Sequence, residues 1–185
     1  MEFQRFIEKA REFSGNIVLR KQTTYFDFAM NGETYRINYH GKREFQLVQN
    51  RFDSISLHAE HPLLMDYLEP SVPVHLASAV DDKTRFRGLL EEAAVKVFEG
   101  WRSLDRYLNL PLETFLEKPY GLLMTAPRTF AELVAGSARS MGVRLFLHEG
   151  CTRSDNPKVL IMDSDFVIAN EFGVELSGSA EKIDA

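Results

Sequence analysis

The dipeptide Asn31-Gly32 constrains the chain more than any other feature of its sequence. A two-residue type I′ hairpin turn needs φ > 0 at both central positions, and Asn-Gly tolerates that best. A turn at this point fixes the register of the flanking segments. Phe28 falls opposite Tyr35, Phe26 opposite Ile37 and Thr24 opposite Tyr39, and these pairs share one apolar face. On the other face Asp27 falls opposite Arg36, and Tyr25 opposite Asn38. An opposite-charge pair directly across a ladder is a favourable contact. A slip of one residue would exchange the two faces and lose both agreements.

The pattern continues past this hairpin. His40-Gly41-Lys42-Arg43 reads as a second turn, followed by a short strand through Phe45 and Leu47. In residues 53–60, Ile55, Leu57 and Ala59 alternate with Ser54, Ser56, His58 and Glu60. Residues 17–60 therefore read as an antiparallel meander with one apolar and one polar face. Before it, Phe3, Phe6, Ile7, Ala10 and Phe13 stand at helical spacing, and Ser14-Gly15-Asn16 ends that helix.

After it, Pro62 opens a short helix through Leu68, and Val72, Val74 and Leu76 alternate as a strand whose Pro73 suggests an edge position. Phe86, Leu90, Ala93, Val97, Trp101, Leu104 and Leu108 follow steps of three and four. They predict a long amphipathic helix over 83–108, started by Asp81 and Asp82 and stopped by Pro111. This helix is expected to lie on the apolar face of the meander. A β-α-β-β segment follows. Leu122–Thr125 is a strand. Thr129 with Glu132 is a capping box opening a helix that ends at Gly142. Val143–Leu147 is another strand, and Val159–Met162 and Phe166–Ala169 are buried strands. Residues 150–157 read as a mobile loop. The fold class is α+β, expected as one domain over 1–176 with a tail at 177–185.

A chain of 185 residues buries about 70% of its unfolded surface, enough for a core without disulfide or metal. Fourteen Phe must find such a core. The net charge of −5 argues against unspecific nucleic-acid binding, so no nucleic-acid partner is expected. One cysteine, Cys151, fits a reducing compartment and a cytoplasmic location. The first residues lack the pattern of a signal peptide, and no apolar run approaches about 18 residues, so no membrane partner is expected either.

Several groups of residues could carry chemistry. Tyr25, Asp27, Arg36, Asn38, His40, Gln46, His58 and Glu60 would all project from the polar face of the meander. Such a face can bind a protein or small-molecule partner, although antiparallel sheets commonly keep one wet face. His58 and Glu60 could share a metal with His40 or His75, but His61 would point to the other side and break the cluster. Asp163-Ser164-Asp165 after an apolar run could hold a divalent cation, and a tight turn between two strands accounts for it equally. His148 and Cys151 could pair as base and thiolate if the imidazole reached the sulfur. Phe26, Phe28, Tyr35, Tyr39 and Phe45 could stack unpaired bases beside Lys42 and Arg43, or beside Lys83, Arg85 and Arg87. Core packing explains the aromatics better, and Glu91, Glu92 and Glu99 interrupt the basic stripe.

No phosphate loop, dinucleotide fingerprint, nucleophile elbow or paired Cys-x-x-Cys occurs, and no cofactor is expected. The expected function is that of a non-enzymatic binding, adaptor or regulatory protein. It would use Asp27, Arg36, Asn38, His40, His58 and Glu60 on the polar sheet face, and its oligomeric state is left open. A metal-assisted hydrolase or transferase is the alternative, and a single-stranded nucleic-acid binder the second alternative.

Overall fold

The computed structural model of the protein describes residues 2–11, 17–21, 25–49, 51–117, 120–151 and 156–179. The first part of the chain forms α1 (Phe3–Arg11), β1 (Ile17–Lys21), β2 (Tyr25–Met30), β3 (Glu33–His40), β4 (Glu44–Gln46), β5 (Arg51–Phe52), β6 (Ser56–His58) and a 3-10 turn at Pro62–Leu64. Next come α2 (Met65–Leu68), β7 (Ser71–Leu76), α3 (Lys83–Phe98), a 3-10 turn at Leu104–Arg106, α4 (Leu112–Glu117), β8 (Gly121–Pro127), α5 (Arg128–Arg139) and β9 (Leu145–Leu147). The last strands are β10 (Lys158–Met162), β11 (Asp165–Ala169) and β12 (Glu171–Ser179). The sheets are antiparallel and the class is α+β. Where chain length suggests one domain, the chain divides into two compact units, Met1–Leu64 with Asn156–Ala185, and Met65–Asp155.

In the first unit the chain reverses at Asn31 and Gly32, with φ of 53° and 77°. β2 pairs with β3 as Phe28 to Tyr35, Phe26 to Ile37, Asp27 to Arg36 and Tyr25 to Asn38. Thr24 and the helix stop at 14–16 lie outside the described residues. Phe26, Phe28, Tyr35 and Ile37 are each at most 2% exposed. A helix packs on this apolar face, and it is α1. Phe6, Ile7 and Ala10 enter the same core, with the Phe6 ring 5.3 Å from Phe28 and 5.1 Å from Tyr35. Lys9 Nζ fastens the helix to β3 through Glu33 at 3.0 Å and the Tyr35 hydroxyl.

The meander ends at His40 and does not run to residue 60. Gly41 has φ of 64°, and a Cβ there would lie 2.8 Å from the Asn170 side-chain nitrogen. The Asn170 amide donates to His40 O at 3.1 Å, and the Arg43 amide to Ile168 O at 2.9 Å. The β3–β4 and β11–β12 connections therefore pass side by side from one sheet into another. β12 takes the edge of β3 that a continuing meander would fill, giving the order β12-β3-β2-β1-β5. β4 and β6 join β11 and β10 in a second sheet of order β4-β11-β10-β6. Its inner residues Leu160, Met162, Val167 and Ala169 meet Phe26, Phe28 and Ile37 in one core. Residues 177–179, expected in a tail, belong to β12, and 180–185 lie outside the described residues.

The second unit is the sheet β8-β7-β9 with α3 and α5. The apolar residues of α3 (Phe86, Leu90, Ala93, Ala94 and Phe98) belong to this core, with Val72, Val74, Phe130 and Val134. Periodicity shows that a helix has a face to bury and is silent on which sheet receives it. The helix starts as expected, with Asp82 Oδ1 accepting the Arg85 amide at 2.9 Å. It stops at Phe98, ten residues short of 108, because Glu99 and Gly100 take left-handed φ of 52° and 83°. Pro73 lies in the central strand of this sheet, not at an edge. Its missing N–H is tolerated because β9 pairs with β7 only from Val74 to Leu76. Gly150, expected in a mobile loop, packs closely, since a Cβ would lie 2.9 Å from Ser71 O. No described helix is long and apolar enough to cross a membrane.

Candidate functional site

The hairpin register places Tyr25, Asp27, Arg36 and Asn38 together on the outer face of the five-stranded sheet. Arg36 donates to Asp27 through Nε at 2.9 Å and Nη2 at 3.3 Å. Its guanidinium carbon lies 3.9 Å from the centre of the Tyr25 ring. The Arg36 side chain is 32% exposed, so it is a held group and not a waving one. The Asp27 carboxylate, as acceptor, raises the guanidinium further above its ordinary value. β12 completes this face. Glu175 stands opposite Arg36 and accepts from Asn38 Nδ2 at 3.3 Å, and Glu171 stands opposite the exposed His40.

His58 and Glu60 are not on this face. β6 belongs to the second sheet of the unit, as does Gln46 on β4. His58 Nε2 lies 2.8 Å from Ser56 Oγ, and its ring is 5.4 Å from that of His61. His75 is in the other unit, on β7, with its ring 4.5 Å from His148. The imidazoles expected to converge are thus dispersed.

Asp163 and Asp165 hold loops. Asp163, at φ 53°, begins the β10–β11 turn. Its carboxylate accepts the amides of Asp53 and Ser54 at 2.9 and 3.0 Å and the Ser54 hydroxyl at 2.7 Å. Asp165 Oδ2 accepts the amides of Val48 and Gln49, both at 2.8 Å. Cys151 is exposed, and its backbone pairs with Ser71. Of the aromatic set, Phe26, Phe28, Tyr35 and Tyr39 are core, whereas Phe45 is on β4 and 52% exposed beneath Lys42.

A cleft of about 330 Å³ in the second unit escaped the sequence analysis. The end of α2, the residues just past Leu104–Arg106 and the end of β8 form it, placing Asp66, Arg106, Tyr107 and Thr125 around it. Asp66 Oδ2 accepts from Arg106 Nε at 2.9 Å, and Arg102 Nε is 3.9 Å away. Arg102 is buried, with 6% of its side chain exposed, while Arg106 keeps 39%. The Tyr107 hydroxyl is buried and faces the Asp66 carboxylate. Burial first, and then the Asp66 carboxylate it faces, pushes this phenol far above its ordinary value. Glu69, on the same wall, is engaged by Thr129 through its amide and hydroxyl, each at 2.8 Å. The periodicity of 83–108 absorbed Arg102, Arg106 and Tyr107 into a helix they do not join. Only the left-handed potential of Gly100 signalled otherwise.

Comparison with known proteins finds no matching family model, no matching curated protein and no matching solved structure.

Proposed function

We propose that the chain is a non-enzymatic binding protein that recognises a partner protein through the outer face of its five-stranded sheet. The observation that carries this is the fixed Tyr25–Arg36–Asp27 cluster, with Arg36 bound to Asp27 at 2.9 Å and stacked on Tyr25 at 3.9 Å. Tyr and Arg are the residue types that dominate binding energy at protein interfaces. A side chain already held in one conformation loses little entropy on association. Glu171 and Glu175 on β12 add negative charge beside a guanidinium that Asp27 already neutralises, which favours a partner segment carrying Lys or Arg.

The metal-assisted alternative has less support. Asp163 and Asp165 already satisfy loop amides, and the histidines lie apart.

The test compares affinity capture from source-cell extract by the wild type, by Arg36→Glu and by the double variant Glu171→Lys/Glu175→Lys. Thermal midpoints serve as the control for folding. Proteins retained by the wild type and lost from both variants support the reading. Identical retention by all three, with midpoints unchanged, removes this face as the binding surface.

A further inference from the structure

The edge of a sheet presents a row of backbone N–H and C=O groups without strand partners, and native proteins keep such edges short, charged or covered. Among the described residues the sheet edges follow that rule with one exception. β4, β5, β6 and β9 are two or three residues long. β8 is longer, but the chain past the Leu104–Arg106 turn lies along it, with the Asn109 amide donating to Leu123 O and the Thr125 amide to Tyr107 O, both at 3.0 Å. β12 is the exception. It has nine residues, carries no Lys or Pro, and pairs with β3 on one side only among the described residues. Its irregularity falls at Leu176/Gly178 and leaves Glu171–Leu176 in regular register.

The core is also unfinished at this edge. Phe172, Val174 and Leu176 stand opposite Tyr39, Ile37 and Tyr35, so they share the inner face of the sheet. Phe3, Phe172 and Val174 are only partly buried at the margin of that core, and Leu176 is 61% exposed. On the outer face Glu171 and Glu175 flank Gly173, where an added Cβ would meet nothing within 4 Å. Arg36, opposite Glu175, is already bound to Asp27. A second copy of this strand does not suit the edge, because pairing about Gly173 would set Glu171 opposite Glu175 twice.

We propose that the β12 edge takes up an extended segment of a partner protein as a sixth strand, with the pattern basic, apolar, aromatic, apolar, basic. This rests on the partner recognition at Glu171 and Glu175 proposed above and adds the edge to the face. The basic residues lie opposite Glu171 and Glu175, about 13 Å apart along the strand. The aromatic residue covers Gly173. The two apolar residues turn inward opposite Phe172 and Val174 and close the margin of the core. Main-chain hydrogen bonds to the edge supply affinity, and the alternating side chains supply specificity.

NMR titration of the full chain tests this with the capped peptide Thr-Lys-Val-Tyr-Val-Lys-Thr and with a shuffled peptide in which Lys and Val no longer alternate. Two further peptides are N-methylated, one at both Val amides and one at the Tyr and both Lys amides. The parent peptide binds saturably, shifts the amide signals of Glu171–Leu176 most, and slows hydrogen exchange at alternate amides there. The shuffled peptide binds several-fold more weakly. One methylated peptide loses binding and the other keeps it, because successive amides of a strand point to opposite sides and only one set meets β12. Glu171→Lys/Glu175→Lys weakens binding about tenfold with its thermal midpoint unchanged, since both glutamates are exposed. Absence of saturable binding overturns the proposal. So does equal binding of the shuffled peptide, an equal effect of the two methylations, or wild-type affinity in the double variant. Peptide shifts centred on Tyr25, Asp27 and Arg36 overturn the edge and leave the face standing. Peptide binding at β12 together with extract capture unaffected by Arg36→Glu does the reverse.

Discussion

Glu69 caps α5 from sixty residues away, its carboxylate taking the amide and the hydroxyl of Thr129 at 2.8 Å each. The first N–H groups of a helix have no partner within it, and a carboxylate there also meets the positive end of the helix dipole. Glu69→Ala is expected to lower stability by about 1–2 kcal/mol, the range of a lost N-cap. Thr129→Ala should cost part of the same energy, so the double variant should be less destabilised than the sum of the two. Urea denaturation of the four proteins checks this. Strict additivity would show that the two residues act separately. Glu132→Ala should change stability by less than about 0.5 kcal/mol, as at an ordinary surface site.

That cap also shows where sequence analysis stops. Thr129 with Glu132 has the spacing of a capping box, but Glu132 pairs with Arg128 at 3.5 Å and the cap comes from Glu69. Local spacing carries no information about a competitor supplied by tertiary structure. Where the determinants are local, the sequence suffices. Asn31-Gly32 sets a register that Asp27 and Arg36 then satisfy, and Asp163-Ser164 makes the turn between two buried strands. Where an apolar face must choose a partner, it does not suffice, and the Lys83–Phe98 helix joins the core of Val72 and Phe130 instead of that of Phe26. The outer-face cluster at Arg36 was legible because one hairpin carries all of it. The group of Asp66, Arg106 and Tyr107 was not, since two distant segments bring it together.

The two loop-holding carboxylates should separate cleanly by amide hydrogen exchange. Asp165 is 3% exposed and accepts the amides of Val48 and Gln49. Asp165→Asn turns charged hydrogen bonds into neutral ones and can set a donor against a donor, costing about 1.5–3 kcal/mol. Exchange at Val48 and Gln49 should accelerate in Asp165→Asn while Asp53 and Ser54 stay protected. Asp163→Asn should give the converse, its φ of 53° being one that asparagine tolerates. Acceleration of all four amides in either variant would mean that the loops depend on the turn as a whole and not on one carboxylate each.

The reversal at Asn31-Gly32 is tested by side-chain size at a fixed backbone angle. Gly32 has φ of 77° and nothing within 4 Å of an added Cβ, so Gly32→Ala meets backbone strain and no clash. A cost of about 1–2 kcal/mol is expected from the left-handed conformation alone. Asn31→Gly keeps the turn type and should cost less. Chemical denaturation that ranked Asn31→Gly as the worse of the two would contradict the assignment of strain to position 32.

Alkaline titration probes the buried phenol of Tyr107. Burial holds its phenol above the ordinary value near 10 in the folded chain, with the Asp66 carboxylate adding to the effect. Below about pH 10 both folded and unfolded chains keep the proton, and this residue gives stability no pH dependence. Above it the unfolded chain releases a proton that the folded chain retains, so stability falls as pH rises. The contribution approaches about 1.4 kcal/mol per pH unit for one proton. Tyr39, also raised by burial, adds a slope of the same sign, so the wild type must be compared with Tyr107→Phe. The variant should lose stability less steeply above about pH 10. Parallel curves would mean that the hydroxyl ionises as freely in the folded chain as in the unfolded one, and that its burial does not hold the proton.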